Sequence, residues 1–244
     1  MPPLPPPMVG GRGGAGGGAG RGHGGRGGGG AGGADAAARA AKPADKKEQA
    51  WVPTTDAEAH VMKMADGGYR PAYNIQVAAD SAHQVIAGVE VTTTGSDQQQ
   101  APLMVCQVRE RLHALPAVWL MDGGFAAHAA IEQVEAAGSQ VLAPVPQPND
   151  TGRDRFLPCA GDAATVAAWR ARMGTDPAKD TYRIRAATIE WVNAQARSRF
   201  GVQQLRVLGL AKVRCVAHWI ALTHTLLLWI KHGRAAPAPQ AQVA

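Results

Sequence analysis

The spacing of apolar and polar positions changes several times along this chain, and each change predicts an element. Alternation is clearest in YRPAYNIQVAAD (69–80), where Tyr73, Ile75 and Val77 recur at every second residue. That is the period of a strand with one buried face. QVIAGVEVTTTG (84–95) is β-branched and closes on Gly95, and WVPTTD (51–56) is a shorter strand candidate before both. The period then lengthens. In APLMVCQVRERLHAL, Met104, Val108 and Leu112 fall at i, i+4 and i+8, one stripe of a helix. A strand AVWLMD (117–122), a helix over FAAHAAIEQVEAAG ended by Gly138, and a strand QVLAPV follow. Past a loop rich in Pro, Asp and Gly come a helix in AATVAAWRARMG, a long helix from Asp176 to Arg199, and an apolar helix from Leu210.

Three successive strands with short links predict an antiparallel meander. The later strand–helix–strand unit predicts a parallel crossover, which is right-handed. The expected fold class is therefore α/β: an RNase H-like mixed sheet, antiparallel meander plus parallel strands, flanked by helices.

Composition restricts where that domain lies. Residues 1–34 are nearly all Gly, Pro, Ala and Arg. They offer too little apolar area to offset the entropy of ordering them, so a disordered segment is expected there. Residues 35–50 read as a linker, 51–232 as one folded domain, and 233–244 as a disordered tail. The net charge is +6 and the isoelectric point about 9.5. Some of the excess lies in the folded part, in KVR, RSR and WRARMG, and it favours a polyanionic partner. The Arg-Gly runs of the leader have no interleaved aromatics on which bases could stack. Three well-separated cysteines, Cys106, Cys159 and Cys215, make no disulfide framework, so a reducing cytoplasm is expected. The apolar run CVAHWIALTHTLLLWI (215–230) is shorter than the ~20 residues that span a bilayer and predicts a buried core helix, with no membrane partner.

One feature of the pattern raises chemistry. The apolar strand AVWLMD ends on Asp122, followed at once by Gly123 and Gly124. A carboxylate there must be solvated, paired or bound. Ligands of open α/β sheets collect outside the carboxyl ends of strands, although an aspartate in this place also caps a following helix. Phosphodiester cleavage with two Mg²⁺ ions needs further acids. Glu190 is the strongest of them. It lies in the long helix with Arg183 and Arg197 seven residues to either side, so the three share a face. For the first strand there are two choices. Asp80 would leave a meander at the edge opposite Asp122, whereas Asp56 would leave at the same edge if the first strand is parallel to the fourth. Asp56 is therefore preferred, with Asp80 starting a hairpin at Asp80-Ser81-Ala82-His83; if YNIQVAAD is itself the first strand, Asp80 takes the role.

Taken together, VMKMADGGYRPAYNIQVAAD, the GSD at 95–97, MDGGFA, YRIRAATIEWVNAQAR and GLAKVRCVAHWIAL resemble the DDE transposases of bacterial insertion sequences. The group is the one with a Tyr-x2-Arg…Glu-x6-Lys signature. The resemblance implies an RNase H-like domain whose DDE site holds two Mg²⁺ ions, with Mn²⁺ as substitute, and which cuts and joins DNA at element ends and target. It implies Asp122 as the second acid, Glu190 as the third, and Asp56 by family order as the first. Tyr182 and Arg185 match the Tyr-x2-Arg pair, and Tyr182, Arg183, Arg185, Arg197 and Lys212 are expected to contact the DNA. Four residues, not three, separate Arg185 from Glu190, and Arg197 stands where the signature has lysine. On an ideal helix Arg185 lies ~140° round from Glu190. Glycine-rich sequence occupies the place of the family's N-terminal DNA-binding region, which implies a truncated copy. A homodimer acting on paired DNA ends, associated with the nucleoid, is the implied assembly.

Overall fold

The computed structural model describes residues 8–12, 53–64, 67–148 and 152–235. Seven strands are present among them: β1 (Met8–Arg12), β2 (His60–Lys63), β3 (Tyr69–Ala72), β4 (Asn74–Asp80), β5 (Ile86–Thr92), β6 (Val118–Met121) and β7 (Gln140–Leu142). The helices are α1 (Gln100–Leu112), α2 (His128–Ala136), α3 (Ala164–Met173), α4 (Asp176–Phe200) and α5 (Leu210–Ala235), with a 3₁₀ turn at Gly123–Phe125. β2 and β3 form a small hairpin sheet of their own. The main sheet has the order β5-β4-β1-β6-β7. Its β5, β4 and β1 are antiparallel in turn, and β1, β6 and β7 are parallel. This is the mixed RNase H-like sheet that the element order predicts, flanked by helices.

The strand that joins the two halves is not the expected one. WVPTTD does not form it: residues 53–56 are irregular, and Trp51 and Val52 lie outside the described residues. Pro53 has no N–H to give a ladder, and the side chains after it are polar. Met8–Arg12, from the segment expected to be disordered, fills the slot instead. A central strand is held by two rows of backbone hydrogen bonds, which glycine makes as well as any residue at an entropic cost of about 0.5–1 kcal/mol each. Met8 adds a buried side chain. The rest of the leader and linker, 13–52, and the tail from 236 lie outside the described residues.

Packing follows burial. Every residue of β4 is buried, as are Trp119, Leu120 and Met121 of β6. Burial of each large apolar side chain contributes about 1.5–3 kcal/mol. α1 packs on β4 and β5, α4 on β1, β4 and β6, and α5 on β5. Gly88 lets α1 come close, because a Cβ there would collide with the Met104 sulfur. The outward edge of β7 is closed by side chains: Val141 donates its N–H to Glu135 at 3.1 Å and accepts from Arg172 at 2.9 Å, and Arg172 and Glu135 pair at 2.6 Å. Such closure blunts an edge that would otherwise template another strand.

Asp80 ends β4 and begins the turn into β5. Its carboxylate accepts the N–H groups of Ala82 (2.9 Å), His83 (2.6 Å) and Val85 (2.8 Å). Met8 pairs with Asp80 on one side and Trp119 on the other, so Asp80 sits where β6 begins, at the opposite edge from Asp122. Asp80→Ala leaves three amides of a part-buried turn without their acceptor. It should lower unfolding free energy by about 2–4 kcal/mol, read from urea denaturation; a loss within error would refute the role.

Candidate functional site

Asp122 leaves β6 in an extended conformation and accepts the N–H of Gly123 on Oδ1 at 2.7 Å. It thereby caps the 3₁₀ turn, which Phe125 pins to the core. The side chain remains 58% exposed, so the carboxylate that ends this buried strand is both hydrogen-bonded and solvated. Capping and availability to a ligand are compatible here, because an exposed carboxylate has further lone pairs beyond the one the cap uses.

α4 brings Arg185 to this carboxylate. Its Nη2 lies 3.8 Å from Asp122 Oδ1, and its side chain is 16% exposed. The guanidinium carbon stands 5.6 Å from the centre of the Tyr182 ring, and Nε is buried without an acceptor. Burial, foremost, pushes the Tyr182 phenol pKa up, with the charge of Asp122 acting in the same direction. Asp122, Arg185 and Tyr182 are thus brought together at the strand's end.

A second carboxylate reaches the same edge. Asp97 Oδ1 accepts from Asn74 Nδ2 at 2.8 Å and Gln76 Nε2 at 2.9 Å. A Cβ added to Gly124 would meet Asp97 Oδ2 at 3.3 Å, which explains the second glycine after Asp122: it makes room for this side chain. Asp97 was absent from the expected site residues. The signal for it was two amides, Asn74 and Gln76, on one face of a strand that is buried throughout. Buried polar side chains need partners.

The other expected residues are placed differently. Glu190 is exposed on α4 and has no ion pair among the described residues. Five residues beyond Arg185, it is about 7.5 Å further along the axis and ~140° round it. Thr188, Ile189 and Val192 are buried beside it. Arg183 is exposed and pairs with Asp180 at 2.5 Å. Arg197 is half-buried with its Nε lacking an acceptor, and Lys212 is exposed on the first turn of α5.

Asp56 does not end a strand at the Asp122 edge, because no strand forms there. Its Oδ2 accepts the Tyr73 hydroxyl at 2.8 Å and the Gly209 N–H at 3.0 Å, and its Oδ1 accepts the Glu58 N–H at 3.2 Å. Glu58 in turn accepts the Leu210 N–H at 3.0 Å. These two acids satisfy amides at the start of α5, where a helix presents unpaired donors and positive potential. The Gly209 N–H is the main reason the Asp56 carboxyl titrates below its usual range, with the Tyr73 hydroxyl and the Glu58 and Ala59 amides adding to it. The Tyr73 phenol is pushed up to about 12, first by burial and then by its bond to Asp56. A cavity of about 960 Å³ opens beside this cap, lined by Tyr73, Arg70, Met64, Leu205 and Leu208; it is lined by none of the residues around Asp122.

The family model for the transposase DDE domain matches residues 38–226. The chain belongs to the DDE transposase family. Among curated proteins no match to the chain was found. Members of this family generally work with divalent metal ions on DNA. The arrangement here does not fit a three-acid metal cradle. Among the described residues no three His, Cys, Asp or Glu side chains converge. Gly10 of β1 pairs with Met121, which puts Gly11 level with Asp122, and MVGGR contributes no carboxylate to that edge.

A carboxyl whose pKa is lower in the folded state stabilises the fold fully above its unfolded value of about 3.9, and that contribution disappears as pH falls through the folded value. Asp56→Asn should therefore destabilise the protein at neutral pH and flatten the loss of stability below about pH 4. Urea titrations across the acid range read both effects; an acid limb identical to wild type refutes the assignment.

Proposed function

We propose that this domain cuts and joins DNA strands at insertion-sequence ends in the cytoplasm, gripping the DNA backbone at the edge where β6 ends, with Asp122 as the acid at that edge and Asp56 as a helix cap. What supports this is the Arg185–Asp122 pair, at a solvent-facing strand end, in a chain of the DDE family. A guanidinium fork matches phosphate oxygens. Arg185 is already ordered by burial and by the Tyr182 ring, so docking a phosphate on it costs little side-chain entropy. Arg183, Arg197 and Lys212 add positive charge that binds DNA backbone without reading bases. In the first reaction water attacks the phosphorus at the element end, the P–O3′ bond breaks, and a 3′-hydroxyl is released. In the second that hydroxyl attacks a target phosphodiester, a new P–O3′ bond forms, and the target's 3′-oxygen leaves with the proton. In this reading Asp122, beside the phosphate, holds the attacking hydroxyl or water by hydrogen bond.

DNA binding without strand chemistry is the rival function, and one observation favours it: β1 brings no acid to the Asp122 edge. The two separate in one experiment on the purified chain, with labelled duplex and Mg²⁺ or Mn²⁺ in the buffer. Strand transfer by wild type that Asp122→Asn abolishes, with DNA affinity kept, is the expected outcome. Tight binding with neither cleavage nor joining in wild type establishes the rival.

The phosphate role of Arg185 has its own readout. Arg185→Ala should weaken binding to unrelated duplex sequences alike and lower the salt slope of log K by about 1. A slope unchanged from wild type, measured by fluorescence anisotropy over a salt series, refutes it.

A further inference from the structure

α5 is apolar on two opposite faces. Val213, Ala217, Ala221, His224 and Leu228 turn inward and are buried, and the helix packs on β5. On the outer side Trp219 is 62% exposed, Leu222 and Leu226 46% each, Trp229 72% and Ile230 41%. A helix apolar on both faces belongs between two layers, and among the described residues only one layer packs on it.

The outer face has a defined pattern. Trp219, Leu222, Leu226 and Trp229 are spaced three, four and three residues apart, a seam of average period 3.5 that fits knobs-into-holes packing against another helix. The spacing also reads the same from either end. A two-fold axis through residue 224 would set Trp219 against the partner's Trp229 and Leu222 against the partner's Leu226. Such self-complementarity is what an isologous contact requires. No Asp, Glu, Lys or Arg occurs from Cys215 to Ile230, and Lys212, Arg214 and Lys231 lie outside that stretch. Charge is depleted in the centre of stable interfaces in the same way. From their exposure these five side chains offer roughly 500 Å² per protomer, so a pair would bury on the order of 1,000 Å², the size at which specific interfaces begin.

We propose that the outer face of α5 is the contact of a homodimer, with the two α5 helices antiparallel about residue 224. The assignment is independent of the catalytic roles above. In this pairing the two Cys215 residues are about 27 Å apart along the axis, far beyond the ~7 Å limit for a disulfide. A parallel pair would set them against each other.

Light scattering during size exclusion of the full chain at tens of micromolar tests this. Wild type should elute at twice its 25.3 kDa mass. Leu226→Glu and, separately, Trp229→Ala should raise the dissociation constant at least about thirtyfold, with the far-UV circular dichroism spectrum unchanged because both positions are exposed. Copper oxidation should give no Cys215-linked dimer. Monomeric wild type, a dimer indifferent to both substitutions, or efficient Cys215 cross-linking each overturns the proposal. So does a monomer that floats with anionic phospholipid vesicles, which would make lipid the cover for this face.

Discussion

The sheet depends on the backbone bonds of Met8–Arg12. This strand is antiparallel to β4 and parallel to β6, and it connects two sheet halves built by different rules. On one side a hairpin gives antiparallel pairing; on the other a helical crossover gives parallel pairing. Without a strand between them, β4 and β6 would each present a row of unpaired N–H and C=O groups in the centre of the domain, where water cannot satisfy them. The register set by this strand also decides which polar groups share an edge. It puts Asp80 at the far edge and carries the amides at the start of β4 toward the edge where Asp122 emerges.

That edge is organised by competition for few acceptors. Asn74 and Gln76 are buried amides, and both donate to one oxygen of Asp97. Gly124 has no Cβ to keep that carboxylate away. Asp122 accepts from its own neighbour's amide and still lies near Arg185. The edge is thus polar, ordered and open, with a cation positioned before any ligand arrives. Preorganisation of this kind lets a scaffold grip phosphate without first collapsing a flexible side chain.

How much of this the sequence disclosed depended on range. Local period was enough for β4, β5, β6 and the five helices, and the strand-edge argument correctly separated Asp80 from Asp122 and made Asp80 a turn residue. Two things were hidden. MVGGR has no strand signature, because its stability comes from both neighbours rather than from its own side chains, and propensity is blind to that. The cap formed by Asp56 joins residues 153 positions apart, so nothing near it in sequence marks Gly209 as its partner. A carboxylate after two threonines reads equally well as a strand end or a cap until the helix it serves is located. Asp97 was half-legible: Asn74 and Gln76 required a partner, but only the fold shows which acid supplies it.

The cap at Asp56 bears on the α5 seam. Asp56 and Glu58 fix amides at the start of α5, and Tyr73, just before β4, holds Asp56 in turn. The helix is therefore anchored at one end to the chain that leads into the main sheet and along its inner face to β5. Rotation about its own axis is blocked, because turning the inner face outward would expose Val213 and Ala217 and strip His224 of its bond to the Gln84 carbonyl. With the rotation fixed, Trp219, Leu222, Leu226 and Trp229 point outward in register. In the proposed dimer, the Asp56 cap thereby helps set the angle at which the protein offers its apolar seam. Loosening that cap should then weaken association through α5 although Asp56 itself lies well off the seam.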